Sequence, residues 1–258
     1  MRQCSLVRQV ELVQSDLRAW RALSMYHYRP GSPGAVSKVF AWQVVERSLP
    51  GRRKQGQGRF TALGWRCTPV GVIVYVMPTL NSRMRNALTG GRYNTSNAPE
   101  RIASLNRDFR RIARVVIHPA WRGVGLGREL VRQTLPLAGT RYVEAAAAMG
   151  AVHPFLEQAD MTRYDLPDDP RRVKLLNELG QVGVKCEDCT SPTRLTERLE
   201  GLAAGEQQAL LQRIRGYLTR YGKHGRKIAD DPAKMMAYLT RHLTVRPVYY
   251  LWQRKYET

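Results

Sequence analysis

The segment from Arg111 to Val131, RIARVVIHPAWRGVGLGRELV, carries the strongest structural signal in the sequence. Its β-branched run from Ile112 to Ile117 predicts a strand that ends at the pair His118-Pro119. A turn with three glycines follows and opens a helix, which we predict over Gly127–Leu135. The unpaired N–H groups and the positive dipole end of that helix would point at the turn, where glycine lets an anion approach closely. The segment therefore predicts a strand, an anion-binding glycine loop and a helix.

Three phosphate-binding patterns can be compared with this glycine loop. The P-loop string G-x-x-x-x-G-K-[ST] does not occur in the sequence, which disfavours hydrolysis of ATP or GTP. A dinucleotide fingerprint needs the spacing G-x-G-x-x-G, and the glycines from Gly123 to Gly127 are spaced differently. The third pattern, R-x-x-G-x-G directly after a strand, fits Arg122–Gly127. A glycine-rich connection that binds nothing is the remaining structural interpretation.

The loop resembles the acyl-CoA-binding motif of the GNAT N-acetyltransferase superfamily, in which the loop amides bind the CoA pyrophosphate. The resemblance extends to the strand before it, Gly71–Met77, and to the strand after it, Tyr142–Ala147. It implies an α/β fold with a GNAT-like mixed central sheet and flanking helices. It also implies acyl-CoA, or a related pyrophosphate-containing donor, as the cofactor. The residues assigned to donor binding are Val116, Ile117, Arg122, Gly123, Val124, Gly125, Leu126, Gly127 and Arg128.

Two residues depart from the GNAT pattern in the segment His153–Met161. Leu156 stands where a tyrosine commonly protonates the departing CoA thiolate, and Asp160 stands where glycine is usual. Leucine cannot donate a proton. Acetyl transfer that depends on a tyrosine acid at this position is therefore not expected.

A narrower resemblance covers about residues 20–165. The matching strings are Met25-Tyr26-His27-Tyr28-Arg29, Pro78-Thr79-Leu80-Asn81, Gly91-Arg92-Tyr93, Leu105-Asn106-Arg107, Ile112-Ala113-Arg114-Val115-Val116 and Met149-Gly150 before Pro154-Phe155. They are similar to Mom-like DNA-modification proteins of Mu-type phages and to GNAT-like modules of some ABC ATPases. Mom proteins convert the N6 amine of adenine in phage DNA to a carbamoylmethyl derivative that protects the DNA from restriction. The resemblance implies this activity, in the host cytoplasm if the gene is carried by a phage.

Two other functions stay open at this point. One is acetyl-CoA-dependent N-acetylation of tRNA, protein or a small amine. The other is a non-catalytic nucleic-acid-binding module on the same scaffold. The sequence leaves the identity of the group donor open, and also whether iron or another metal is required.

The charge balance favours a polyanionic partner, and we predict DNA. Formal net charge is +21, from 42 basic and 21 acidic side chains, and only eight of the basic residues are lysines. Codon bias would explain the choice of arginine over lysine but not the two-to-one excess of bases over acids. Arginine suits contacts with phosphates. The candidate contacts with the DNA backbone are Arg52, Arg53, Lys54, Arg83, Arg85, Arg92, Arg213 and Arg215, followed by Lys223, Arg226 and Lys227.

Three residues are candidates for catalysis. His27 and Tyr28 follow a predicted helix, and an imidazole can take a proton from an attacking amine or ligate a metal. Glu144 lies among small apolar residues of a predicted strand, where a carboxylate is costly to bury without a partner. A structural histidine and a glutamate that faces solvent are the competing interpretations. The pair Cys186 and Cys189 has the C-x-x-C spacing of half a zinc site, but no second pair accompanies it.

The pattern of elements predicts a core at residues 1–167, a helical insertion at 168–243 and a returning final strand at 244–258. Further strands are predicted at Val36–Val45, Pro69–Met77, Met161–Leu166 and Val245–Arg254. Helices are predicted at Asp16–Met25, Glu100–Asp108, Arg171–Leu179, Pro192–Leu202, Gly205–Tyr221 and Pro232–His242, and a short helix or a loop around Arg83–Leu88. Because no run of eighteen apolar residues occurs, we expect no membrane span and a cytoplasmic protein. The oligomeric state is open, with a homodimer as one option.

Overall fold

The computed structural model describes residues 10–28, 31–46, 66–165, 168–219, 222–244 and 247–255. The strands in this part of the chain are β1 Val10–Ser15, β2 Val36–Glu46, β3 Arg66–Val76, β4 Phe109–Ile117, β5 Tyr142–Ala147, β6 Thr162–Tyr164 and β7 Val248–Gln253. The α-helices are α1 Leu17–Leu23, α2 Arg83–Leu88, α3 Ala98–Asp108, α4 Leu126–Thr134, α5 Pro170–Gln181, α6 Pro192–Glu200, α7 Ala204–Thr219, α8 Gly222–Ala229 and α9 Pro232–Thr244.

The seven strands form one mixed sheet in the order β1-β2-β3-β4-β5-β7-β6. Strands β4 and β5 are parallel, and every other neighbouring pair is antiparallel. The final strand β7 enters the sheet between β5 and β6, so that Tyr164 pairs with Tyr249. The prediction that the last strand returns beside the Met161–Leu166 strand is confirmed.

Strand β3 shows why a continuous apolar run marks the centre of this sheet. Val72, Ile73, Val74 and Tyr75 are all fully buried, because helices cover both faces of the sheet at this strand. Strand β1 was not predicted. Its residues are interrupted by charge, and it pairs with β2 alone at the edge of the sheet, where five of its six residues stay in contact with water.

Helices pack on both faces of the sheet. Helix α4 buries Leu126, Leu130 and Val131 against one face. Helix α1 buries Trp20 and Leu23 against the other. Burying a leucine of this kind fully stabilises the fold by about 1.5–3 kcal/mol. Helices α2 and α3 pack against strands β4 and β7 in a further apolar cluster. Its members are Met84, Tyr93, Leu105, Phe109, Tyr249 and Leu251.

Residues Asp165–Pro247 form a second compact unit, and the sheet belongs to the first, which comprises Met1–Tyr164 and Val248–Thr258. The second unit contains α5 to α9 around its own apolar core, with Leu195, Ile214 and Leu239 fully buried. Helix α8 was not predicted, since its two glycines lower the helix propensity of the segment. Among the described residues, no helix is long and apolar enough to span a bilayer.

Candidate functional site

Strand β4 leaves its parallel neighbour before it reaches the glycine loop. Pairing with β5 covers Phe109–Ile112, whereas β4 continues to Ile117. A bulge at Ala113 accompanies the separation, because Val74 pairs with Arg114 while Tyr75 pairs with Ile112. The carboxyl end of β4 therefore diverges from β5, and a crevice outside the carboxyl ends of strands is where open α/β sheets commonly bind ligands.

The glycine loop lies at this divergence and has the backbone that an anion cradle needs. Gly123 and Gly125 adopt left-handed conformations, with φ of +82° and +86°. Gly125 precedes α4, and its carbonyl accepts the Glu129 N–H at 3.1 Å. The N–H groups at the start of this nine-residue helix have no partners within the helix. The predicted donor-binding residues are thus brought together as a strand end, an open turn and a helix N-terminus.

The two arginines of the loop have different positions. Arg122 donates from Nε to the Ile117 carbonyl at 3.0 Å and from Nη2 to the Tyr26 carbonyl at 3.3 Å. It therefore fastens the loop to the end of β4 and to the turn that follows α1. Arg128 extends over the loop, since its Nη2 lies 3.6 Å from the position that a Cβ on Gly125 would occupy. The Arg128 Nε is buried and has no hydrogen-bond partner among the described residues.

His27 and Tyr28 lie beside the loop, at the end of a short 3-10 turn after α1. The His27 imidazole stacks on Tyr28 at 4.7 Å between ring centroids and meets Trp20 edge-on at 5.7 Å. The preceding residue, Tyr26, contacts His118 edge-on at 5.0 Å and accepts a hydrogen bond from Arg122. His27 is half-buried, whereas the Tyr28 side chain is 62% exposed. The segment that carries this imidazole and this exposed ring is therefore joined to the predicted donor loop through Tyr26.

Arg114 is a member of this site that the sequence analysis did not single out. It is 9% exposed, and its guanidinium lies 5.6 Å from the centre of the Trp20 ring, which in turn contacts His27. The bulge at Ala113 lets both Ala113 and Arg114 face α1. An arginine inside a buried β-branched run is a costly choice, and that cost is a sequence signal that could have found it.

Glu144 has a different role from the predicted catalytic one. It is 2% exposed, its Oε1 lies 3.0 Å from Nη1 of the fully buried Arg85, and Tyr249 donates to its Oε2 at 2.7 Å. Burial raises the pKa of Glu144, and the positive charge of Arg85 opposes that increase. Arg85 also donates to the carbonyls of Thr79 and Leu80. The carboxylate thereby ties α2 and the loop after β3 to the sheet, and an attacking amine cannot reach it in this conformation.

The predicted contacts with DNA divide into three groups. Arg85 is 0% exposed and paired with Glu144, so the prediction that it contacts DNA is wrong in this conformation. Arg52, Arg53 and Lys54 lie outside the described residues, and so does the side chain of Lys223. The others are on the surface: Arg83, Arg92, Arg213, Arg215, Arg226 and Lys227. Of these, Arg213 lies 3.4 Å from Glu178, within the helical unit.

The structure offers no metal centre in the described part of the chain. No group of three or more His, Cys, Asp or Glu side chains there is arranged to hold an ion. Cys186 is exposed and Cys189 is buried, and burial raises the pKa of the Cys189 thiol to about 11. No third ligand of the described residues accompanies Cys186 and Cys189 in an arrangement that could hold zinc.

The two departures from the GNAT pattern have structural counterparts. Leu156 is 3% exposed and belongs to the apolar core beneath α4, where it has no proton to donate. Asp160 adopts a left-handed conformation with φ of +67°, the region that glycine prefers. An L-residue pays about 1–2 kcal/mol for that conformation. The backbone at residue 160 thus keeps the shape suited to glycine although the side chain differs.

No protein-family model matches the sequence, and no curated protein matches it. A glycine loop opens at the divergence of two parallel strands, an arginine reaches over the loop, and a histidine lies beside it.

Proposed function

We propose that this chain is a GNAT-type transferase that modifies an amine of a DNA base, in the manner of the Mom-like proteins it resembles. The observation that carries the proposal is the glycine loop at the point where β4 separates from β5. The mixed sheet and the return of β7 beside β6 agree with the GNAT-like arrangement that the resemblance implies. The excess of arginine supports a nucleic acid as the acceptor.

The donor is held through its pyrophosphate. Free N–H groups at the start of α4 and the bare backbone of Gly123 and Gly125 can approach phosphate oxygens closely. Arg128 adds a positive charge over the same turn, and its buried Nε lacks a protein partner. This arrangement suits acyl-CoA or a related donor, whose reactive group would extend between the separating strands.

The acceptor amine would be activated by His27. As the amine bonds to the transferred group, the bond between that group and the rest of the donor breaks and the leaving group departs with the electron pair, while the half-buried imidazole can take the proton of the amine. The exposed ring of Tyr28, stacked on His27, offers a face to a base that has been rotated out of the duplex. Because Leu156 cannot protonate a leaving thiolate, ordinary acetyl transfer with a tyrosine acid at this position is the less favoured candidate.

Mass spectrometry of nucleosides tests this function. DNA from cells expressing the chain is digested and compared with DNA from cells expressing His27→Ala. We expect a new adenine derivative that disappears in His27→Ala and persists in His242→Ala, a matched histidine change in the helical unit. Unmodified DNA combined with CoA binding by the purified protein would favour the acetyltransferase instead. Unmodified DNA without CoA binding would overturn both.

A further inference from the structure

A second cationic site lies at the end of the central strands that is opposite to the glycine loop. We call it the arginine cleft, a cavity of about 470 Å³ lined by Arg92, Arg107, Asp108, Gly139, Thr140, Arg141 and Arg254. It surrounds the amino ends of β4 and β5, whereas the glycine loop follows the carboxyl end of β4. Because β4 and β5 are parallel, these two sites lie at opposite ends of the strands.

The arginine cleft contains more basic than acidic side chains among the described residues. Asp108 is its one acid among the lining residues, and Arg107 occupies it with two contacts, from Nε to Oδ1 at 2.9 Å and from Nη2 to Oδ2 at 3.2 Å. These bonds hold the pKa of Asp108 below its usual range. No carboxylate of the described residues lies within 4.0 Å of the guanidinium groups of Arg92, Arg141 or Arg254. Among the described residues, these three guanidinium groups therefore have no carboxylate in salt-bridge contact.

Aromatic rings and backbone groups hold these arginines in place despite their mutual repulsion. The Arg92 guanidinium lies 5.8 Å from the centre of the Tyr93 ring, and that of Arg141 lies 5.2 Å from the centre of the Tyr142 ring. Phe109 stacks on Tyr142 at 4.8 Å between centroids and meets Tyr93 edge-on, so both rings rest on one buried residue. Side chains that are already positioned lose less entropy when they bind an anion.

Two further contacts build the wall of the cleft. The Arg254 N–H donates to the Arg141 carbonyl at 2.8 Å, and the Arg254 side chain donates to the Pro136 carbonyl. Gly139 adopts φ of +79°, and a Cβ there would lie 3.0 Å from Nζ of Lys38. The turn before β5 therefore needs glycine, and it brings a fifth cation to the rim of the cleft.

We propose that the arginine cleft binds the phosphodiester backbone of a nucleic-acid strand. A guanidinium fork matches the geometry of phosphate oxygens, and three forks without a described carboxylate partner suit a strand with several phosphates. A neighbouring groove of about 1150 Å³ shares Arg254 and is lined also by Trp252, Lys255 and Asp160, so the surface has room for an extended ligand. An aromatic ring and a further lysine are the groups that contact single-stranded nucleic acids. This site uses none of the residues of the glycine loop, so it can fail or stand independently of the proposed function.

Fluorescence anisotropy with labelled 20-nucleotide DNA, single-stranded and duplex, tests the proposal. We compare Arg92→Gln/Arg141→Gln with the matched double change Arg171→Gln/Arg194→Gln, which removes two exposed arginines of the helical unit. Each lost phosphate contact reduces the slope of log K against log salt by about 0.7–0.9. We therefore expect the cleft variant to lose about 1–2 from that slope and about tenfold or more in affinity at 0.15 M salt. The control should keep both.

Additional measurements separate the remaining outcomes. Arg92→Lys/Arg141→Lys retains the charges and should retain most of the salt slope. If the double glutamine variant does not fold, as judged by circular dichroism, Arg92→Gln alone carries the same comparison because that side chain is exposed. Cleft variants that bind DNA as tightly and with the same slope as the control overturn the proposal. Binding of inorganic pyrophosphate without any binding of DNA overturns it as well.

Discussion

Glu144, near the centre of the sheet, stabilises the fold through its buried partners and does not act as the predicted catalytic carboxylate. Glu144 joins Arg85 and Tyr249, which come from α2 and β7. All three side chains lie on the face of the sheet that α2 and α3 cover. The sequence signal, a carboxylate in a run of small residues, identified a residue with an important partner but not the nature of that partner.

The change Glu144→Gln should therefore destabilise the protein strongly. It leaves the guanidinium of Arg85 fully buried without its anion, and such a loss costs about 3–5 kcal/mol of the free energy of unfolding. Chemical denaturation measures the effect. Arg18→Gln, which breaks an exposed pair with Asp16, is the control and should change the stability little. Equal stability of Glu144→Gln and the wild type would show that the buried pair does not anchor α2.

At the level of elements, the glycine loop combines local sequence with the divergence of two strands. The local part is a strand, two left-handed glycines and a helix. A bulge at Ala113 changes the register of β4 against β3 and accompanies the divergence. The divergence places the loop beyond the paired part of β4 and β5.

Replacing Gly125 by alanine tests the cradle. A Cβ at φ of +86° strains the backbone by about 1–2 kcal/mol, and it also faces the guanidinium of Arg128. We expect titration calorimetry with CoA to show binding by the wild type and binding at least about tenfold weaker for Gly125→Ala, the equivalent of about 1.4 kcal/mol. Gly216→Ala is the control, because its Cβ would meet nothing within 4 Å in α7. Undiminished CoA affinity in Gly125→Ala would contradict a loop that binds the donor through its backbone.

The whole molecule consists of two compact units, and the chain enters and leaves the helical unit at neighbouring strands. Strands β6 and β7 pair with each other on either side of the insertion. The apolar core of the helical unit is made of its own residues, and the clusters on the sheet are made of residues from the first unit. The predicted boundaries, 1–167, 168–243 and 244–258, lie within a few residues of these units.

Replacing residues 168–244 by a short glycine-serine linker should accordingly leave a folded sheet. Tyr164 and Tyr249 are partners in an antiparallel pair, so a short connection can join the two strands as a hairpin. We expect a cooperative thermal transition by circular dichroism and CoA binding within about threefold of the full chain, since the cradle residues are unchanged. A non-cooperative transition in the shortened chain would show that the sheet depends on the helical unit for its stability.

The sequence alone identified those features that arise from neighbouring residues. Local sequence patterns located β2 to β7 and most helices, and the strand–glycine–helix string located the candidate cradle, because backbone preference and burial pattern act over a few residues. The edge strand β1, the bulge at Ala113, the burial of Arg85 and the arginine cleft depend on tertiary contacts. Arg85 and Glu144 are 59 positions apart, and Arg141 and Arg254 are farther still. Whether an arginine faces a carboxylate, a ring or open solvent depends on which distant strands the sheet places side by side, and local patterns contain no information about that choice.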